Sequence, residues 1–130
     1  TQMHVTCGRD SIESIREMFK NLAATGKLIK VSELDMGYKA AGSEENMKTS
    51  DMTEVQHKEM ASFYEEIIKA YFELVPAPQR YGITHWSPTD SPESSFWRPG
   101  EPIGLWSLDY NRKHAYSGFA NGLAGKDLSK

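Results

Sequence analysis

Three short stretches of strand character, each followed by a longer stretch of helical periodicity, limit what this chain can form. Strand side chains repeat every two residues and helix side chains about every 3.6, so the two patterns separate. Gln2 to Val5 make the first strand candidate, and a helix follows in which Ile12, Ile15, Phe19 and Leu22 recur at helical spacing. Asp10 and Glu13 stand three apart as in a capping box, and Gly26 supplies the stop. The second strand lies in "KLIKVSELDMGY", residues 27–38, and leads into the polar connection "GYKAAGSEENMKTSD". That connection is long for a compact domain, which points to a functional segment. Thr53 and Gln56 form a second capping box for a helix carrying Met60, Phe63, Tyr64, Ile67, Tyr71 and Leu74, ended by Pro76 and Pro78. "YGITHW" is the third strand candidate, a Pro/Ser-rich loop follows, and Ala115, Tyr116, Phe119 and Leu123 mark a closing helix. Strand and helix in strict alternation predict a parallel α/β arrangement, whose active sites sit at the carboxyl ends of the strands.

The second strand poses a question. Simple alternation puts Ile29, Val31, Glu33 and Asp35 on one face, an apolar pair followed by two acids. Burying an unpartnered carboxylate costs several kcal/mol, roughly, so two acids on such a stripe need partners or work.

Composition narrows the function. With 38% hydrophobic and 25% charged residues in 130 positions, the chain reads as one globular domain or a piece of a larger one. A net charge of -3, with no basic cluster interleaved with aromatics, argues against a nucleic-acid partner. No apolar run approaches the roughly 20 residues of a spanning helix. Cys7, the single cysteine, has no disulfide partner in the chain and no zinc-site neighbours, and is expected to be a small buried residue. The opening "TQMHVTCGRD" has neither a start methionine nor signal-peptide regions, so the chain is expected to begin inside something larger.

At the strand ends, Gln2 and His4 share a face of the first strand, Glu33 and Asp35 share a face of the second, and Trp86 ends the third. If the strands are neighbours, a histidine held by Asp35 and bonded to Glu33 would keep Glu33 ionised and oriented, as a carboxylate nucleophile requires. The same residues also suit a structural histidine beside a solvated acidic rim. A metal site lacks a second histidine at ligand spacing. Trp86, Trp97 and Trp106 suit a core equally well, but Trp97 lies in "SSFWRPGEP", a loop too rich in Ser, Pro and Gly to bury much. An aromatic there offers a flat apolar face to a sugar ring, and Tyr38 could act similarly.

Taken together, "TQMHV", "VSELDM", "ITHWSPTD" and "DYNRKHAY" resemble, in order and spacing, four motifs in the C-terminal part of glycoside hydrolase family ten, the endo-1,4-β-xylanases. The resemblance covers nearly the whole chain. It implies a (β/α)8 TIM barrel of which residues 1–130 supply only the last three βα units. It further implies Glu33 as catalytic nucleophile, His4 and Asp35 as the residues that orient it, and Gln2, Trp86 and Trp97 as substrate contacts. No cofactor and no metal are implied; the partner is xylan or a xylo-oligosaccharide. Ser87 stands where the family usually has glycine and is expected to narrow the backbone approach near the sugar; His114 stands where proline is usual.

A retaining glycosidase needs two carboxyl groups about 5 to 5.5 Å apart. The family's acid/base glutamate belongs to an earlier strand, and Glu45, Glu54 and Glu59, in a loop or a helix, do not fill its place. The isolated chain is therefore expected to be inactive, to expose unpaired strand edges, and to need the N-terminal part of the barrel or self-association. A polymeric substrate implies a secreted, periplasmic or cell-surface location. A non-catalytic xylan-binding fragment, or another barrel β-glycanase such as a cellulase or mannanase, are the alternative readings.

Overall fold

The computed structural model describes residues 1–125, and the last five positions of the expected 1–130 unit lie outside the described residues. Strand β1 (Gln2–Cys7), helix α1 (Ile12–Ala24), strand β2 (Ile29–Tyr38), helix α2 (Glu54–Leu74), strand β3 (Arg80–His85) and helix α3 (His114–Ala124) follow one another. The strands form one parallel sheet in the order β1-β2-β3, as the alternation predicts. Within this sheet β1 and β3 each pair along one edge only.

The helices cover one face. Met3, Val5 and Cys7 of β1 join Ile29, Val31, Leu34, Met36 and Tyr38 of β2 in a single apolar cluster with Phe19 of α1 and Met60, Tyr64, Ile67 and Tyr71 of α2. Strict alternation cannot place both Val31 and Leu34 in that cluster. The strand solves this with a bulge: Val31 pairs with Ile83 and Leu34 with His85, so β2 spends three residues where β3 spends two. The expected stripe is thereby corrected. Ile29 and Val31 face the helices, the extra residue shifts the phase, and Glu33 and Asp35 are left on the opposite face.

Helix starts follow local chemistry. Thr53 and Gln56 make the expected reciprocal capping box. For α1 the cap is Ser11, whose hydroxyl accepts the Ser14 N–H at 3.1 Å, and not Asp10. Asp10 instead accepts the Thr6 N–H at 2.7 Å and pairs with Arg9, so it closes the turn after β1. Gly26, at φ +69°, ends α1 in the left-handed conformation that favours glycine.

Helix α3 buries Ala115, Gly118 and Gly122, while Leu123, expected on its apolar face, is exposed. A Cβ on Gly118 would lie 2.0 Å from the Ala61 carbonyl oxygen, so the small residues let α3 lie directly on the backbone of α2. His114 is the first helical residue of α3, a position that proline's fixed φ would also suit.

Between β3 and α3 runs a long loop, residues 86–113. Its base is pinned by a buried ion pair, Asp90 with Lys113, whose Nζ also donates to the carbonyls of Pro102 and Gly104 at 3.0 Å each. Burial lowers the pKa of Lys113 while Asp90 opposes the shift. Gly104 cannot carry a side chain, because a Cβ would meet the Thr89 and Asp90 backbone at 2.1–2.3 Å.

Candidate active site

The parallel register sets Gln2 opposite Glu33 and His4 opposite Asp35. Since β1 alternates and β2 has changed phase at its bulge, all four side chains project from the sheet face away from the helices. Gln2 Nε2 donates to Glu33 Oε1 at 3.1 Å, and His4 Nε2 lies 3.2 Å from Glu33 Oε2. Each oxygen of one carboxylate thus has its own partner, which fixes the plane of the group. Glu33 keeps 24% of its side-chain surface exposed, so a substrate can reach it.

Asp35 sits behind, with no exposed surface. Its Oδ1 lies 3.0 Å from His4 Nδ1, within ion-pair distance but off the line of a good hydrogen bond. Two further donors complete its surroundings. Trp97 Nε1 donates to Oδ2 at 2.8 Å and Arg98 Nη1 to Oδ1 at 3.0 Å. A fully buried carboxylate is tolerable only with this kind of pairing.

The aromatics frame the opening. The Trp97 ring meets His4 edge-on, with centroids 4.7 Å apart, and Trp86 does so from 6.4 Å. Gln2, His4, Glu33, Trp86, Phe96 and Trp97 line a cleft of about 200 Å³. All six site residues predicted from sequence are therefore gathered at one place, five along the cleft and Asp35 behind it. Glu33 is the only carboxylate among the lining residues.

Two site residues were not foreseen. Phe96, 98% exposed, stands at the mouth of the cleft. Arg98 grips Asp35; the available signal was a cation next to Trp97 in a chain whose second strand carries two acids. Tyr38 belongs elsewhere, contrary to the expectation that it offers a sugar platform. It is buried on the helix side, its hydroxyl donates to Glu59 Oε2 at 2.5 Å, and that acceptor raises its pKa to about 12. Cys7 is buried as expected, and desolvation pushes its thiol up to about 11. The Ser87 hydroxyl bonds to the Thr89 carbonyl at 2.9 Å within its own loop. Among the described residues no group of three or more His, Cys, Asp or Glu is arranged to hold a metal ion.

The model of glycosyl hydrolase family 10 matches residues 1–122. The chain belongs to this family. Endo-beta-1,4-xylanase Xyn10C of Cellvibrio japonicus is 32% identical over 137 residues, covering 95% of this chain and 22% of the relative. Endo-1,4-beta-xylanase A of Cellvibrio japonicus (strain Ueda107) is 27% identical, covering 96% and 22%. The native structure of xylanase10C from Cellvibrio japonicus superimposes with a TM-score of 0.80 at 28% identity, over 96% of this chain and 28% of that one. A mutant of that enzyme, solved with xylopentaose, gives 0.79 over 96% and 27%. These family 10 neighbours are TIM barrels, and the three parallel strands with their helices form a fragment of that barrel. The chain spans about a quarter of the length of these relatives.

Proposed function

We propose that this chain supplies the nucleophile side of a retaining endo-1,4-β-xylanase, as the last three of the barrel's eight βα units. The observation that carries the reading is the Glu33 carboxylate, reachable from the cleft yet held at both oxygens by Gln2 and His4. Glu33 attacks the anomeric carbon of a xylose unit while a carboxylic acid protonates the departing glycosidic oxygen; the resulting glycosyl ester is then hydrolysed by water that the same acid, now a carboxylate, deprotonates. His4 and Asp35 orient Glu33, and Trp86 and Trp97 border the sugar beside the cleaved bond.

Among the described residues Glu33 is the one carboxylate that lines the cleft, and this reading assigns the acid to the N-terminal part of the barrel. Without it, leaving-group protonation, worth roughly 10² to 10⁴ in rate, is lost. The active unit is therefore this chain with the N-terminal part of the barrel, whose strands would also cover the free edges of β1 and β3. Xylopentaose bound by the related enzyme supports a xylo-oligosaccharide as ligand. A polymeric substrate points to a secreted, periplasmic or cell-surface location for the complete protein.

The test is Glu33→Gln in the complete barrel. Xylan hydrolysis should fall by about 10⁴-fold or more, and the wild-type product should keep the β-configuration when first released, as followed by NMR. An inverted product, or full activity in the variant, would remove Glu33 from the nucleophile role. Turnover of cellulose or mannan in preference to xylan would favour a different β-glycanase. Xylan binding without turnover by the complete barrel would favour the binding role.

A further inference from the structure

Arg98, together with Trp97, carries the loop 86–113 to the strand ends, and its conformation is unusual. Its φ is +45°, in the left-handed region that residues with a Cβ rarely occupy, so the surroundings must hold it there. Its side chain is only 12% exposed. The guanidinium joins both neighbouring strands. Nη1 donates to the Val5 carbonyl at 3.1 Å and to Asp35 Oδ1 at 3.0 Å, and Nη2 donates to the Val5 carbonyl and to Thr6 Oγ1 at 3.1 Å each. On its other side Nε lies 3.7 Å from Glu101 Oε2, which in turn accepts from Asn46 Nδ2 at 3.1 Å.

This cluster sits over Gly37, two residues beyond Asp35. A Cβ there would come 2.6 Å from Glu101 Oε2, 3.2 Å from Asn46 Nδ2 and 3.3 Å from Arg98 Nη1, so the missing side chain makes room for the cluster. The polar connection after β2 braces the same loop, since the Thr49 N–H donates to the Gly100 carbonyl at 2.8 Å and Lys48 Nζ to the Pro99 carbonyl.

We propose that Arg98 is a positioning residue for the reaction, clamping the Trp97-bearing loop to Asp35 and the end of β1 so that Asp35, Trp97 and His4 hold Glu33 as one rigid unit. The proposal rests on the reading of Glu33 as nucleophile. Arg98 touches neither the cleft nor Glu33; it acts through the Asp35 carboxylate, which it shares with the Trp97 indole. Arginine suits this task because a planar fork of donors can serve a carboxylate, a carbonyl and a hydroxyl at once, whereas a lysine ammonium is a single point.

The experiment compares wild type, Arg98→Met and Arg98→Lys in the complete barrel, with kinetics on xylopentaose and the Trp97 indole N–H resonance, assigned by its loss in Trp97→Phe. Displacing a reacting group by about 1 Å can cost roughly 10²-fold. The expected result is a 10- to 100-fold fall in kcat for Arg98→Met with KM within about threefold, a shifted or broadened indole resonance, and little recovery in Arg98→Lys. Unchanged kcat with an unmoved resonance overturns the proposal, as does full recovery in Arg98→Lys, which would reduce the role to charge alone. If Arg98→Met does not fold, Arg98→Lys with Thr6→Val decides, and wild-type kcat in both overturns the clamp. Wild-type barrel that fails to cleave xylan, or that cleaves it undiminished in Glu33→Gln, refutes the nucleophile reading itself and is thereby distinguished from failure of the clamp.

Discussion

Acidification should weaken the fold through His85. This residue ends β3, directly before Trp86, and packs on the helix side against Tyr64 and Phe119. Its Nε2 lies 3.0 Å from the Tyr64 hydroxyl. Tyr64 is fully buried, and desolvation raises its pKa well above 10, so its hydroxyl keeps its proton and is paired with a neutral imidazole. Burial lowers the His85 pKa from 6.5 to about 4, with the Ser87 backbone and Asp35 opposing the shift. A histidine whose folded pKa is depressed binds its proton more readily when unfolded. Its contribution to stability is therefore fully present above pH 6.5, falls as the pH drops towards 4, and is gone below that.

At about 1.4 kcal/mol per pH unit, the interval from 6.5 to about 4 corresponds to roughly 3 kcal/mol. Carboxylates titrate in the lower part of the same window, so the quantity to measure is a difference. Urea unfolding at pH steps from 7.5 to 4, in wild type and in His85→Gln, isolates it, because glutamine can accept the Tyr64 hydroxyl but takes up no proton. With slopes of about 1 to 3 kcal/mol per molar urea, the wild-type midpoint should fall by about 1 to 3 M more than that of the variant. Parallel pH dependence in the two proteins, or a His85 ring titrating near 6.5 by NMR, would refute the reasoning.

Two further substitutions probe the frame. The buried Tyr71 hydroxyl donates to the Ile29 carbonyl at 2.8 Å and accepts the Gly82 N–H at 3.1 Å, bridging β2 and β3 where their register slips. Tyr71→Phe leaves two backbone groups unpartnered and should cost about 2 to 4 kcal/mol, seen as faster hydrogen exchange at Gly82 than in wild type. Gly118→Ala gains about 1 kcal/mol of helix propensity but drives a Cβ to within 2.0 Å of the Ala61 carbonyl oxygen, so the melting temperature should fall, whereas the same change at an unpacked helical position would raise it.

The order of elements was legible because each carries its own period and its own stop, as Gly26 and Pro76 illustrate. The site was legible because Gln2, His4, Glu33 and Asp35 keep their spacing along strands, and parallel pairing brings equal spacings into register. What escaped was set by tertiary contact. The β2 bulge depends on how Leu34 meets His85, and nothing in "KVSELD" marks it. Helix α3 turns its glycines inward because the backbone of α2 lies so close, a demand that hydrophobicity does not record. Asp10 and Ser11 are both plausible caps by type, and Asp10 is taken by the turn after β1. Tyr38 follows the cleft acids in sequence, yet it stands an odd number of residues, three, beyond Asp35 and so lies on the other face, where Glu59 waits.

The bulge and the loop solve one problem between them. A strand that fills a core and also arms a cleft must place apolar residues towards the helices along its whole length while turning acids outwards near its end. The extra residue between Val31 and Leu34 achieves this, but it leaves Asp35 fully buried on the cleft side, beyond the reach of solvent. His4 alone is a poor partner, because its Nδ1 is off-line and its other nitrogen is engaged by Glu33. The Trp97 indole and the Arg98 guanidinium supply the missing donors, and both arrive on the loop that also presents an aromatic wall to the cleft. Ordering that loop therefore stabilises the buried acid, packs an indole against the histidine beside Glu33 and shapes the wall of the cleft in one step. A perturbation at the loop base, such as loss of the Asp90–Lys113 pair, acts on all three together even though it touches none of the cleft residues.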